Sequence, residues 1–265
     1  MYLPIEINQQ AKSFKVFVDM IVEYAGGKQL FDYLSSKYDI YVFSGTIRNF
    51  FIGIPSTRDL DLVVDIDSPA NIPIGLLFER LRHKTVIRRN KFGGLKYSSR
   101  GCDIDIWNMI DTWGLKRKDN RRPSPRALIN TVFFNCSAIV FDYNAGKFIF
   151  EKSFIDFLRN KRLEVVYKDN PYPESCIVNS FHYAIEDGFT IGDSLKRWIA
   201  KNSKEGMDYE LPQKKRYGKV LYTQQLIAAF AKICRIKKSY HLVLESDGKK
   251  YEIHIDDGMK IESVS

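Results

Sequence analysis

The chain has 265 residues and carries 41 Lys and Arg against 32 Asp and Glu, which gives a formal net charge of +9. Hydrophobic residues make up 45% of it and charged residues 28%, fractions typical of a globular protein and not of a disordered or fibrous one. No apolar stretch is long enough to cross a bilayer, and the N-terminal residues lack the pattern of a signal peptide, so we expect neither a membrane segment nor a leader. Four widely spaced cysteines without a zinc-binding spacing predict reduced thiols in a cytoplasmic protein.

The hydrophobic pattern predicts helices and closely spaced strands up to about residue 150. Helices are predicted over 10–23, around 30–34, over 46–53 and over 74–82, and strands over 39–43, 60–66, 85–89, 95–99 and 102–107. The last strands are separated by gaps of hairpin length, which favours a mixed, mostly antiparallel sheet with helices packed on it. We therefore expect an α+β fold.

After residue 150 the pattern changes. Helical spacing occurs around 154–158, over 175–186 and over 221–234, and the strands 240–244 and 251–255 flank a turn and predict a β-hairpin. We predict two domains: a sheet-containing domain over 1–150, and a mainly helical region over 151–265 that ends in the hairpin.

One segment, 44–65, has a pattern with a clear chemical meaning. Asp59 and Asp61 lie two positions apart on a predicted strand, so both carboxylates point to the same face. Two carboxylates held so close repel each other unless a cation lies between them, and Mg²⁺ binds carboxylate oxygens together with water and substrate phosphates. The Ser44-Gly45 turn ahead of a helix has little side-chain bulk, so its backbone N–H groups can approach a phosphate closely.

A second pair with the same spacing, Asp103 and Asp105, lies on a later strand. If the two strands are neighbours, three or four carboxylates converge beside a phosphate-binding turn, as two-metal phosphoryl or nucleotidyl transfer requires. Periodicity does not choose between them as the third ligand. Asp105 stands between Ile104 and Ile106, the context of a central strand, so we predict Asp105 as the third ligand and keep Asp103 as the alternative.

Basic residues cluster in two stretches flanked by helix breakers. The clusters are Lys116, Arg117, Lys118, Arg121, Arg122 and Arg126, and Lys214, Lys215, Arg216 and Lys219. Lys and Arg beside phosphates displace condensed counterions, so these clusters favour a polyanionic partner. A solvated basic surface that keeps the protein soluble is the alternative.

The pattern Gly-x-x-Arg-Asn, followed by Gly and by Arg-Asp-x-Asp, resembles the head domain of poly(A) polymerases and CCA-adding tRNA nucleotidyltransferases, members of the DNA polymerase β-like nucleotidyltransferase superfamily. The pattern is carried here by Gly45, Arg48, Asn49, Gly53, Arg58, Asp59 and Asp61. The resemblance covers roughly residues 38–150. It implies a nucleotidyltransferase head (palm) domain that transfers an NMP unit from an NTP such as ATP to an acceptor hydroxyl, with RNA of tRNA type or a nucleotide as the acceptor.

The resemblance also implies which residues bind the metal. Asp59 and Asp61 bind two catalytic Mg²⁺ ions, and Asp105 or Asp103 supplies the third carboxylate. An alignment that matches Trp107 to the aromatic position of the CCA-adding enzymes favours Asp103.

For the nucleotide, the resemblance implies that Ser44 and Gly45 face the triphosphate. Arg48 and Arg58 complete the predicted nucleotide-binding set. Ser44 stands where the family has its first glycine. In the stretch 173–180, where CCA-adding enzymes read the incoming base with an acid and arginines, this chain has no arginine, so the base preference does not carry over.

Two alternatives use the same residues differently. One is a catalytically inert, basic nucleic-acid-binding protein built on a degenerate head. The other is a defence or toxin enzyme that applies this chemistry to tRNA or to a protein. We favour an active enzyme, because an inert descendant has no chemical reason to keep Asp59, Asp61 and a third acid on one face.

Overall fold

The computed structural model describes residues 4–43, 45–54, 59–65, 86–89, 94–116, 123–236 and 238–264. The chain divides into two compact units. The first unit comprises Met1–Val132 with Cys136–Leu158, and the second comprises Phe133–Asn135 with Arg159–Ser265. The predicted domain boundary at residue 150 lies a few residues before the change from the first unit to the second.

The first unit combines short helices with one sheet, as the predicted α+β fold requires. Its helices are α1 (Pro4–Gln9), α2 (Ala11–Tyr24), α3 (Lys28–Lys37), α4 (Gly45–Phe51), α5 (Trp113–Lys116), α6 (Pro125–Ile129) and α7 (Lys152–Asn160), whose last two residues belong to the second unit. Its strands are β1 (Asp39–Phe43), β2 (Asp59–Asp65), β3 (Val86–Arg89), β4 (Leu95–Ser99), β5 (Cys102–Asn108), β6 (Ile139–Asp142) and β7 (Lys147–Phe150). The helix predicted over 74–82 lies outside the described residues.

The seven strands of the first unit form one sheet in the order β3-β4-β5-β2-β1-β6-β7. β2 and β5 pair in parallel, while the other neighbouring strands run antiparallel. This mixed and mostly antiparallel sheet confirms the predicted fold class.

The core of the first unit lies between α2, α4 and one face of this sheet. Phe14 on α2 is fully buried, and its ring centroid lies 5.1 Å from that of Phe50 and 5.0 Å from that of Phe141 on β6. Across the strands Phe141 pairs with Val42, and Val42 pairs with Leu62. Directly opposed residues share a face, so the odd-numbered positions Asp59 and Asp61 of β2 point to the other side of the sheet.

The second unit packs helices against a smaller sheet. Its helices are α8 (Pro173–Glu186), α9 (Asp193–Asn202), α10 (Glu210–Tyr217) and α11 (Gln224–Ile233). Phe181 of α8 is fully buried, and its ring centroid lies 5.2 Å from that of Phe230 on α11 and 5.7 Å from that of Tyr251. These aromatic contacts join the helices to the sheet.

The sheet of the second unit is larger than the predicted hairpin. It has five strands in the order β10-β11-β12-β9-β8, namely β8 (Arg162–Leu163), β9 (Thr190–Ile191), β10 (Tyr240–Ser246), β11 (Lys249–Asp256) and β12 (Gly258–Val264). The hairpin β10-β11 is confirmed. β12 joins the hairpin through a tight turn in which Gly258 has φ +113°, a conformation that glycine adopts easily. On the inner side of β12, Met259 and Ile261 are buried.

Two further sequence predictions concern cysteines and membrane segments. All four cysteines are buried and outside any disulfide, which agrees with reduced thiols, while the cytoplasmic location stays a prediction. Among the described residues, no helix combines the length and the apolar character that a membrane crossing requires.

We predict that Gly192→Ala destabilises the second unit. A Cβ at this position would lie 2.1 Å from Glu164 Oε1 and 2.7 Å from the carbonyl oxygen of Leu163. Glu164 cannot move away freely, because its other oxygen accepts hydrogen bonds from the backbone N–H and the hydroxyl of Ser194. We expect a loss of about 1–3 kcal/mol in the free energy of unfolding, as for other overpacked sites, measured by urea denaturation. An unchanged unfolding midpoint would contradict this packing.

Candidate active site

Four carboxylates meet on one face of the first unit's sheet. β2 and β5 pair in parallel so that Asp59 lies beside Asp103 and Asp61 beside Asp105. Neighbouring strands are about 4.8 Å apart, so two Asp-x-Asp pairs in register form a compact group of four acids. All four residues are half-buried, so water screens their mutual repulsion only in part.

Lys96 on β4 supplies a cation to this group. It lies directly opposite Asp105 in the antiparallel β4–β5 pair. Its Nζ lies 2.9 Å from Asp105 Oδ2 and 3.0 Å from Asp103 Oδ2. Burial alone lowers the pKa of Lys96, but the hydrogen bonds to Asp105 and Asp103 outweigh it and raise that pKa above the ordinary 10.5. The ammonium group therefore stays charged and joins the two acids of β5.

Lys96 was not predicted to be a site residue. The available signal was weak: Lys96 alternates with the apolar residues Leu95 and Tyr97, so it belongs to the outward face of a strand that forms a hairpin with β5. Its role depends on the β4–β5 register, which the sequence alone does not give.

Cys102 precedes Asp103 on β5, and the negative charge of the acids affects the pKa of its thiol. Burial, followed by the charges of Asp103 and Asp59, raises the pKa of its thiol. Cys102 therefore remains protonated and is a poor metal ligand, since the thiolate is the ligating form. The groups suited to a cation here are carboxylate oxygens, which match the preference of Mg²⁺ for hard oxygen donors.

The end of β1 and the start of α4 lie close to the acids. Phe43, the last residue of β1, is directly opposite Asp61, and the Thr46 hydroxyl donates a 2.9 Å hydrogen bond to the carbonyl oxygen of Asp59. These contacts fix the start of α4 beside the start of β2. Among the described residues, no atom lies within 4 Å of a Cβ built on Gly45, so this part of the structure leaves open space next to the backbone.

Of the two arginines predicted to bind nucleotide, Arg48 lies within the described residues and Arg58 does not. Arg48 is buried, and its Nε and Nη2 donate hydrogen bonds of 3.1 and 2.9 Å to Asn49 Oδ1. The motif pair Arg48-Asn49 therefore stabilises the helix that carries Gly45. Arg58, together with Ser44, lies outside the described residues.

Trp107 lies on the same face as the acids, further along β5. Its indole N–H donates a 2.9 Å hydrogen bond to Thr112 Oγ1, and its ring meets the edge of Phe43 with centroids 6.2 Å apart. The indole is fixed by these contacts, so its orientation beside the site is defined.

Of the two predicted basic clusters, the second lies entirely within the described residues. Lys214, Lys215 and Arg216 on α10 and the following Lys219 are all exposed. Lys215 and Arg216 line a cavity of about 210 Å³ together with Ser175 and Asn179 of α8. In the first cluster, residues 117–122 lie outside the described residues, and Arg126 forms an ion pair with Glu151.

No protein-family model and no curated protein sequence match the chain. Solved structures match its fold. A CCA-adding enzyme in complex with CTP has a TM-score of 0.55 at 17% identity, over 84% of this chain and 56% of that one. An apo form of a CCA-adding enzyme has a TM-score of 0.54 at 15% identity, over 85% of this chain and 56% of that one. The Thermotoga maritima CCA-adding enzyme complexed with tRNA has a TM-score of 0.50 at 16% identity, over 87% of this chain and 54% of that one.

These matches define the class of fold: the chain has the nucleotidyltransferase fold. More narrowly, the fold is that of the CCA-adding enzymes, which confirms at the level of fold the resemblance inferred from the motif. The chain spans a little over half the length of each of the three enzymes.

We predict that Lys96→Met lowers the free energy of unfolding at neutral pH by about 1 kcal/mol, because Asp103 and Asp105 lose their shared cation at a partly exposed site. The pKa of Lys96 is raised in the folded state, so its contribution is complete below 10.5 and disappears as the pH rises through the higher folded value. Urea denaturation of wild type and variant across this alkaline range measures the difference.

Lys147→Met, which removes an exposed lysine from β7, is the control. We expect no comparable change in this variant. A loss in Lys96→Met that is equally large well above the lysine pKa would show that the charge is not what stabilises the group.

Proposed function

We propose that the protein is a metal-dependent nucleotidyltransferase that moves an NMP unit from an NTP to an acceptor hydroxyl, with RNA as the acceptor. The observation that carries this proposal is the in-register pairing of β2 with β5. It places two Asp-x-Asp pairs side by side, next to the start of α4. The nucleotidyltransferase fold supports the same conclusion.

The proposed reaction breaks a phosphoanhydride bond of the NTP and forms a phosphoester bond to the acceptor. The acceptor oxygen bonds to the α-phosphorus of the NTP, the bond from that phosphorus to the oxygen bridging to the β-phosphate breaks, and pyrophosphate leaves. The hydroxyl proton passes to a base. Mg²⁺ bound by the carboxylates would lower the barrier by activating the attacking oxygen and stabilising charge on the phosphate.

We propose that Asp59, Asp61 and Asp105 hold the metal. Asp105 is favoured over Asp103 because it lies beside Asp61, and because 18% of its side chain is exposed, against 35% for Asp103. A more enclosed carboxylate has a stronger field at the reacting phosphate. Lys96 then neutralises the Asp103–Asp105 pair, so that the four acids can stay close before metal and NTP arrive.

The turn at Ser44 and Gly45 is the proposed triphosphate site. The open space beside Gly45 leaves its backbone accessible, so N–H groups at the turn can donate hydrogen bonds to phosphate oxygens. Arg48 acts here as a positioning residue through Asn49, and Arg58 contacts the nucleotide.

RNA is the acceptor that charge favours. The chain has a net charge of +9, and the exposed cluster on α10 presents lysines and an arginine that can pair with backbone phosphates. Two of the matching structures are described as complexes, one with CTP and one with tRNA, which is consistent with an NTP and a tRNA-like acceptor for this chain.

We predict that Asp59→Asn, Asp61→Asn and Asp105→Asn each reduce nucleotide transfer by roughly 100-fold or more, since loss even of groups that support a metal ligand costs about 10- to 100-fold. Asp103→Asn should retain measurable activity. The assay incubates the protein with Mg²⁺, total RNA and each α-³²P-labelled NTP in turn, and follows label into RNA on a denaturing gel.

Asp65→Asn is the matched control, because Asp65 lies on the same strand as Asp59 and Asp61 but at its far end. Label that enters protein or a small nucleotide product would replace the RNA acceptor with one of those acceptors. If wild type transfers label from no NTP to any acceptor, the chain is an inert nucleic-acid-binding protein and the proposal is wrong.

We further predict that Gly45→Ala leaves the fold unchanged but raises the KM for NTP. The added methyl group meets no atom of the residues that the structure describes, so the free energy of unfolding should stay within about 0.5 kcal/mol of wild type. In the complex, the methyl group would occupy space next to the triphosphate. Steady-state kinetics together with urea denaturation separate these effects, and an unchanged KM would exclude close contact between this backbone and the phosphates.

A further inference from the structure

A group of three potential metal ligands lies on the outer face of the second unit's sheet. His241 on β10 and His254 on β11 are directly opposite each other, and Glu252 precedes His254 by two positions on the same strand. The alternate residues Tyr251, Ile253 and Ile255 are buried in the core. The packed side of the strand therefore fixes the backbone from which Glu252 and His254 project.

The three side chains converge on one point. His241 Nε2 lies 3.7 Å and His254 Nε2 lies 3.6 Å from the same oxygen, Glu252 Oε2. The two imidazole rings are stacked, with centroids 4.4 Å apart and an interplanar angle of 24°. One ligand atom from each residue lies within 4.8 Å of the others.

These separations are close to those of a coordinated ion. Zn²⁺ binds nitrogen and carboxylate oxygen at about 2.0–2.2 Å in tetrahedral geometry, which places neighbouring ligand atoms about 3.4 Å apart. The two nitrogen–oxygen separations, 3.6 and 3.7 Å, need to close by only a few tenths of an ångström. The ligand nitrogens of the two histidines lie within 4.8 Å of each other, and rotation of these exposed side chains can bring them closer. Imidazole nitrogen favours Zn²⁺ and similar transition metals over Mg²⁺, which prefers oxygen.

We propose that His241, Glu252 and His254 bind a divalent transition-metal ion, with Zn²⁺ as the best match to the two-histidine, one-carboxylate donor set. Each of the two stacked rings can present a nitrogen lone pair to a shared cation. On β12, Glu262 lies opposite Glu252 and Lys260 lies opposite His254, so the charges around the site sum to one negative charge.

The site has two consequences. Its ligands come from two strands, so a bound ion connects β10 to β11 and stabilises the hairpin. Three protein ligands leave the fourth tetrahedral position open to water or to a ligand from another molecule. The proposal does not depend on the proposed nucleotidyltransferase activity, because it uses no residue of that site.

The test uses the full chain without an affinity tag and with Asp59→Asn and Asp61→Asn in place, so that the acids of β2 do not bind the probe metal. Co²⁺ titration followed by visible absorption, and equilibrium dialysis with Zn²⁺, measure binding. We expect one ion per chain, the intense visible bands of tetrahedral Co²⁺, and a higher thermal midpoint with Zn²⁺.

His254→Asn and Glu252→Gln should each weaken metal binding by roughly 100-fold or more. Loss even of a group that only supports a metal ligand lowers metal affinity by about 10- to 100-fold. Glu245→Gln is the matched control: Glu245 is an exposed acid on the same hairpin, paired with Lys250. Circular dichroism of each variant without metal establishes that it is folded. Failure of the parent protein to retain Zn²⁺, or equal binding by parent and His254→Asn, would overturn the proposal.

Discussion

The proposed function depends on one constraint, the parallel pairing of β2 with β5 in a register that sets Asp59 beside Asp103 and Asp61 beside Asp105. A shift of one residue in a strand would send its acids to the opposite face, into the core. Four half-buried carboxylates in neighbouring positions raise the energy of the folded chain unless cations are close. Lys96 supplies one cation, and the site has the donors to take a metal as further compensation.

The register is maintained by residues that take no part in the chemistry. Leu60, Leu62, Ile104 and Ile106 alternate with the acids and are buried on the helical side of the sheet, so apolar burial fixes the direction in which every acid points. On that side, the cluster around Phe14 holds α2 and α4 against the sheet. The Thr46–Asp59 hydrogen bond then connects the start of α4 to the first acid.

The sequence predicted what local patterns determine. Strands 39–43 and 95–99, the hairpin in the second unit and the shared face of each Asp-x-Asp pair follow from alternation and turn residues. Whether β2 and β5 are neighbours depends on how the whole sheet assembles, and so the contacts of Lys96 with Asp103 and Asp105 could not be derived. The hydrogen bonds from buried Arg48 to Asn49 were not predicted, because an arginine in a nucleotide-binding motif suggests a phosphate contact. The part of Arg48 in binding the nucleotide stays a prediction. β12 was not predicted, because a tight turn and only two buried residues give too weak a pattern of alternation to indicate a strand.

We propose that the acids of β2 and β5 form a single metal site next to the start of α4. Anomalous diffraction from crystals grown with Mn²⁺ and a non-hydrolysable NTP tests it most directly, because Mn²⁺ replaces Mg²⁺ at oxygen ligands and is located by its own signal. We expect Mn²⁺ bound by Asp59, Asp61 and Asp105, with the triphosphate beside Gly45. Mn²⁺ and triphosphate bound away from these acids would contradict it.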